Sequence, residues 1–254
     1  MRVLSCFLLT MFLMACTKDS NDNNINSGTL VGSYSTMITV KQKLYIVNKT
    51  TIYTYDVSDV RNPVEVNKQD VGFDIESLYH HDGLLLIGSA NNMYIFRLSD
   101  KGIPTKESTT TYFQAFENVF CQHDPIVARS NIAYVTLSAQ TNLNATCTRI
   151  TNELRVYDIT DISKPALLKT LQMTGPKGLC LGKNKLFVCD SNDGLVIFDV
   201  SDPVKPVKSK IFEGYSAYDI IVRNNLLIVV GKDRLMQYDI SDENNIKFIG
   251  KIDF

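Results

Sequence analysis

A five-residue string returns five times along this chain, and no other feature limits the fold so tightly. It reads Tyr55-Asp56-Val57-Ser58-Asp59, Phe96-Arg97-Leu98-Ser99-Asp100, Tyr157-Asp158-Ile159-Thr160-Asp161, Phe198 to Asp202 (FDVSD) and Tyr238 to Asp242 (YDISD). The aromatic anchors are spaced by 41, 61, 41 and 40 residues. A period of this size marks stacked units, each unable to bury its apolar faces alone. In four copies a proline stands four residues past the last Asp, at Pro63, Pro104, Pro165 and Pro206, and the fifth copy has Ile246 there. Asp and Ser opening a turn, with proline after it, are turn chemistry rather than catalysis.

Within a unit the pattern is strand, turn, strand. Unit five runs Tyr218 to Val222, a polar turn at Arg223-Asn224-Asn225, then Leu226 to Val230. A second turn at Lys232-Asp233 leads to Leu235 to Ile240, and Ile246 to Ile252 closes the unit. β-branched and aromatic runs between turn signals every eight to twelve residues predict four antiparallel strands. Four-stranded units of about forty residues in tandem predict an all-β chain, a β-propeller of about five four-stranded blades. Residues 29–254, less a 20-residue excess in the third unit, divide into five units of about 41. A closed toroid is expected. Thr29 to Tyr34 (TLVGSY) is similar to the outer strand Lys247 to Ile252 (KFIGKI) and is expected to pair at the ring junction.

Leu195-Val196-Ile197-Phe198-Asp199, followed by Val200-Ser201-Asp202-Pro203, resembles the LVIVD-repeat family of bacterial propeller proteins over roughly residues 30 to 254. Arg97 replaces the Asp in unit two, and Tyr94-Ile95 and Met236-Gln237 replace Val-Ile. The resemblance implies a fold and transfers no chemistry residue by residue. The absence of tryptophan argues against tryptophan-aspartate propellers, and there are no paired glycines of the kelch kind.

The N-terminus carries an address. Arg2 precedes an apolar run from Val3 to Met14, too short to span a bilayer as a helix, which needs ~20 residues. Leu13-Met14-Ala15-Cys16 resembles the lipobox of bacterial lipoproteins, which implies removal of residues 1–15 and lipidation of Cys16. Two or more acyl chains, at ~0.8 kcal/mol per buried methylene, anchor a protein without a transmembrane helix. Residues 16–28, the lipidated Cys and a stretch rich in Asn and Asp, have too little apolar surface to fold and read as a tether. Thr17 after the cysteine, with Asp19 and Asp22 soon after, resembles outer-membrane and surface-export signals of Bacteroidetes lipoproteins. The expected location is therefore the outer membrane, on its surface or periplasmic side. Twenty-six basic and 27 acidic side chains leave no electrostatic footprint for nucleic acid.

Counting back from the anchors places the extra residues of unit three. Strand two starts twelve residues before the anchor at Leu84, Leu186 and Leu226, but 25 before it at Ile132. Thirteen extra residues thus fall between strands two and three, about 136–151, and seven in the crossover, about 112–121. Both segments belong to one face of one unit. Each carries one cysteine, and in an oxidising compartment a Cys121–Cys147 disulfide is expected to staple them. The alternative is two buried free thiols. Cys180 is expected opposite Phe187 and only diagonal to Cys189, at the edge of disulfide reach, so both should stay thiols.

The starts of the inner strands place Asp74, Glu76, Glu117, His123, Asp124, Lys177, Tyr215, Tyr218 and Asp219 at the mouth of a central channel, as a candidate ligand face. The plainer reading of the same residues is solvated loop charge. His80-His81 should point to opposite sides of a strand, so no shared metal is expected. There is no G-x-S-x-G elbow, P-loop, G-x-G-x-x-G or H-E-x-x-H, so no catalytic residue or cofactor is expected. The leading expectation is a monomeric, lipid-anchored, non-enzymatic binding or scaffold module with a protein or glycan ligand. The alternative is a glycoside-processing enzyme using Asp74, Glu117, Asp124 and Asp219, by analogy with five-bladed propellers that cleave sugars. That chemistry needs two carboxyl groups ~5 to 10 Å apart. A purely structural spacer is the third reading.

Overall fold

The computed structural model describes residues 36–112, 122–123, 125–139 and 151–254, with the backbone alone at 74, 122, 123 and 139. Every regular element among them is a strand. Unit one comprises β1 (Met37–Val40), β2 (Lys43–Asp56) and the first half of β3 (Val64–His81). β2 is a hairpin in itself. Val57 N donates to Gln42 O at 2.9 Å, and Lys43 pairs with Asp56 at 2.8 Å, so the strand doubles back near Lys49 (φ 48).

Unit two takes the second half of β3, then β4 (Leu84–Ser89), β5 (Asn92–Leu98) and β6 (Pro104–Thr111). Unit three has an inner strand in two pieces, β7 (Gln122–His123) and β8 (Ile126–Arg129), then β9 (Ile132–Ala139), β10 (Asn152–Asp158) and β11 (Ala166–Gln172). Unit four is β12 (Pro176–Leu181), β13 (Lys185–Asp190), β14 (Gly194–Asp199) and β15 (Val207–Phe212). Unit five is β16 (Ala217–Arg223), β17 (Leu226–Gly231), β18 (Arg234–Asp239) and β19 (Lys247–Asp253). This is the propeller architecture of five antiparallel four-stranded blades. β3 serves two units: Val64–Asp70 pairs with β2 and Ile75–His81 with β4, fusing units one and two into one six-stranded sheet.

Two irregularities recur. The ladder between strands three and four shifts register just before the aromatic anchor in all five units, at Tyr55, Phe96, Tyr157, Phe198 and Tyr238. The repeated Asp residues sit in the turn that follows. Asp56, Asp158, Asp199 and Asp239 each accept the backbone N–H two residues on, at 2.8 to 2.9 Å. In unit two, where Arg97 replaces Asp, Ser99 Oγ takes the Ile103 N–H instead.

Both faces of each middle blade are buried, which is why the strands read as continuous apolar runs rather than alternating ones. In unit four, Leu186, Val188, Val196 and Phe198 pack against unit three, and Phe187, Cys189, Leu195 and Ile197 against unit five. Among the described residues four hydrophobic clusters result, one at each joint between consecutive units. Cys180 lies opposite Phe187, and both Cys180 and Cys189 are buried free thiols in the joint between units four and five.

The joints are clasped at the face where strands one and two turn. His81 Nε2 donates to Ser130 O at 2.8 Å, and the Arg129 guanidinium donates to the Gly182 and Lys183 carbonyls. Tyr45 Oη and Tyr134 Oη donate to Gly102 O and Pro203 O, each at 2.8 Å. The Glu243 carboxylate accepts the Lys183 and Asn184 backbone N–H groups. No hydrophobic cluster among the described residues joins unit five to unit one. The expected ring junction at Thr29 to Tyr34 lies outside the described residues.

Candidate functional site at the channel mouth

At the end of the blades where the sequence leads one to expect a channel mouth, the inner strands bulge. Register shifts fall between Ile75 and Ser77, between Pro176 and Leu179, and between Ala217 and Asp219, so Glu76, Lys177 and Tyr218 occupy irregular positions in three blades. In unit three β7 and β8 keep one register against β9, His123 opposite Ser138 and Ile126 opposite Val135. Bulges re-aim side chains, and here the re-aimed residues are polar. The Lys177 ammonium is half-buried, and burial lowers its pKa. The charges of Glu76 and Asp190 pull in the opposite direction. Asp219 accepts the Ile220 N–H at 2.8 Å, and Tyr218 is exposed beside it.

The remaining candidates divide. Asp74 and His123 are placed by backbone only, with His123 opposite Ser138. Glu117 and Asp124 lie outside the described residues, as do Cys16, Cys121 and Cys147. Tyr215 is half-buried, with its carbonyl beside Gly194. Its hydroxyl bonds Tyr238 Oη at 2.8 Å, and it lines a hollow with Ile211, Phe212, Met236 and Phe248 among strands three and four of the last two units. Burial first, and the Tyr238 bond second, push its pKa upward. An aromatic ring with a partner hydroxyl is well accommodated there, so Tyr215 contributes to the packing of that joint.

Two residues that sequence reasoning missed hold the mouth in shape. Asp190, fully buried, accepts from Thr174 N and Oγ1, Gly175 N, Asn192 N and Asp193 N at 2.8 to 3.2 Å. One carboxylate thus joins the crossover into unit four to that unit's strand two–three turn. Thr136 Oγ1 donates to Lys177 O at 2.6 Å, tying unit three to the Lys177 bulge. Arg155 is the second. Its Nε meets Glu153 Oε2 at 2.7 Å and its Nη1 donates to Tyr112 O at 2.9 Å. Tyr112 precedes the first insertion and Glu153 follows the second, so one guanidinium binds the stems of both. The sequence signal was present in the Asp-Ser-Asn-Asp-Gly turn at 190–194, but nothing set Arg155 apart from other strand cations.

No family model matches the chain, and no curated protein matches it. Among solved structures it is similar to a protein from Lactobacillus plantarum, with a TM-score of 0.63 at 14% identity over 85% of this chain and 69% of that one. It is also similar to the periplasmic gluconolactonase PpgL of Pseudomonas aeruginosa, with a TM-score of 0.61 at 10% identity over 84% of this chain and 69% of that one. A third is BamB of Moraxella catarrhalis, with a TM-score of 0.56 at 11% identity over 86% and 63%. These likenesses define the class as a multi-blade β-propeller. The chain spans about 60 to 69% of the length of such structures.

Proposed function

We propose that this protein is a non-enzymatic binding or scaffold propeller of the LVIVD-repeat kind, anchored through a lipidated Cys16 to a bacterial outer membrane, and that it takes a polar protein or glycan ligand at the channel mouth. The observation that supports the reading is half-buried Lys177 on a bulged inner strand, its backbone carbonyl held by Thr136 of unit three and its ammonium acted on by the charges of Glu76 and Asp190, with the Arg155-bound stems of the unit-three insertions nearby. A partly desolvated cation that feels the charge of carboxylates suits a ligand that offers both hydrogen-bond donors and acceptors. The fold likeness to periplasmic PpgL and to BamB is compatible with an envelope location.

The test is a glycan array and an envelope pull-down with the lipidated protein, its Lys177→Met variant and a variant shortened between Asn142 and Thr148. Saturable binding that falls at least about tenfold in either variant is the expected outcome. Equal binding by all three sinks the reading. Oligosaccharide hydrolysis abolished by Asp124→Asn would replace it with the enzymatic alternative. Cys16→Ser should lose palmitate labelling and leave the membrane fraction, and continued co-sedimentation would count against the anchor.

A further inference from the structure

The face where strands one and two turn is clasped unevenly. His81 and Arg129 hold the joints between units two and three and between units three and four. The same position, opposite the first residue of strand two, is Val40 in unit one and Gly182 in unit four, neither with a side-chain donor. The residue that opens strand two differs in step. Leu84 and Ile132 are buried in the clusters of the clasped joints. Units one and four have lysines there instead, Lys43 on Asp56 at 2.8 Å and Lys185 on Asp199 at 2.6 Å. With neither the clasp cation nor the apolar residue, these two joints stay open, with a cleft of about 480 Å³ between units one and two and one of about 650 Å³ between units four and five.

The two clefts use the same positions of the repeat and differ in charge. The one between units four and five is lined by Lys183 and Lys185 against Asp199, Asp242 and Glu243. There the Glu243 carboxylate rests on the Lys183 and Asn184 backbone N–H groups of the facing turn. The cleft between units one and two is lined by Lys41, Lys43, Lys101 and His80, with Asp100 as its acid. Lys101 stands two residues past Ser99 as Glu243 stands two past Ser241, so a cation replaces the carboxylate. Among the described residues no carboxylate accepts the Lys41 or Gln42 N–H, the counterparts of Lys183 and Asn184, and Lys41 and Lys101 have no ion-pair partner. His80 is half-buried, and burial first, then the charges of His81 and Lys41, lower its pKa over the opposing pull of Asp82.

We infer that the cleft between units one and two binds a small carboxylate-bearing ligand, whose acid group takes at the Lys41–Gln42 turn and Lys101 the place that Glu243 takes at the turn of unit four. The chain's own carboxylate shows which group such a turn accepts, and Lys101 exchanges it for a charge that attracts one from outside. Ammonium–carboxylate hydrogen bonds are among the stronger ones, and the cleft has the volume of a small-molecule site. It is distinct from the mouth. The chain leaves the described residues beside 36, 112, 122–125, 139 and 151, each at the mouth end of a strand, and the cleft is at the other end of the blades.

The test is calorimetric titration of the full-length protein in detergent with citrate and with glucuronate, and with inorganic phosphate for comparison. Saturable binding of at least one of the two acids, at one site per chain, is expected. Citrate binding points to a free organic acid and glucuronate binding to an acidic sugar. Affinity should fall at least about tenfold in Lys101→Glu, which gives unit two the carboxylate that unit five already has. Lys101 is exposed in a turn, so the substitution spares the fold. The His80 imidazole resonance, assigned with His80→Gln, should move as the acid is added. Absence of saturable binding by both acids overturns the inference, as does tighter binding of phosphate than of either. Equal affinity in Lys101→Glu, or a His80 resonance that does not move, overturns it too.

Discussion

Tyr45 and Tyr134 hold equivalent strand-two positions in units one and three, and each donates its hydroxyl to a carbonyl of the following unit at 2.8 Å. Burial pushes both phenols up to about 12. The raised folded pKa gives a stabilisation that is complete below about pH 10, the value of an unburied tyrosine, and is lost as pH rises through 12. Tyrosinate absorbance at 295 nm should therefore show exposed phenols titrating near pH 10 with the β-sheet spectrum intact. A later group near pH 12 should titrate together with unfolding. Complete titration by pH 10.5 in folded protein would contradict the assignment. Gly194 is the other residue with a sharp consequence. Its φ of 88 is in the left-handed region, and an added Cβ would press on the Phe212 carbonyl oxygen. Gly194→Ala should lower stability by about 1 to 3 kcal/mol in urea titration, and an unchanged midpoint would refute the strain.

At the scale of elements, the stems of the unit-three insertions depend on Arg155. The Arg155 and Glu153 side chains are 11% and 14% exposed, so removing one partner leaves a nearly buried charge. Arg155→Met should cost about 3 to 5 kcal/mol, with much of the loss recovered in the Arg155→Met, Glu153→Met double variant. Chemical denaturation of the two variants decides this, and equal losses would show that the guanidinium acts only through packing. The anchors Phe96, Tyr157, Phe198 and Tyr238 were legible because burial against a preceding blade demands a large apolar group at a fixed period, and all four are buried. Tyr55 obeys the same string yet stays half-exposed, because no described unit precedes it. Strand starts were legible to within a residue: Leu84, Ile132 and Leu226 open β4, β9 and β17, and β13 opens at Lys185 rather than Leu186. The mouth was less legible. Glu76 and Lys177 lie on inner strands, and their bulges depend on ladder geometry that composition does not encode. The Tyr215–Tyr238 bond was not legible, because loop position alone does not reveal a hydroxyl partner 23 residues away.

At the scale of the whole molecule, the repeated turns make stability depend on acid. Asp56 and Asp199 are held well below the usual carboxylate range first by hydrogen bonds from Lys43 and Lys185, and Asp158, Asp161 and Asp239 are lowered mainly by hydrogen bonds within their turns. Depressed folded values give a contribution that is present above about pH 4 and lost as pH falls further. The melting temperature should be flat from neutral pH to about pH 5 and fall steeply below pH 4, with a shallower fall in Asp199→Asn. A profile unchanged down to pH 2 would show that these turns contribute nothing to the fold.

β3 gives the molecule a mechanical asymmetry. The crossovers into units four and five are turns, but the first joint is crossed by a continuous strand whose two halves are bonded into different blades. Tension applied along that strand loads its ladder bonds together, in shear, instead of opening them one after another. Units one and two should therefore yield as a single event when the chain is stretched between its ends, releasing about eighty residues at once, where each later blade releases about forty. A force–extension trace with five equal steps would show that the shared strand transmits no load.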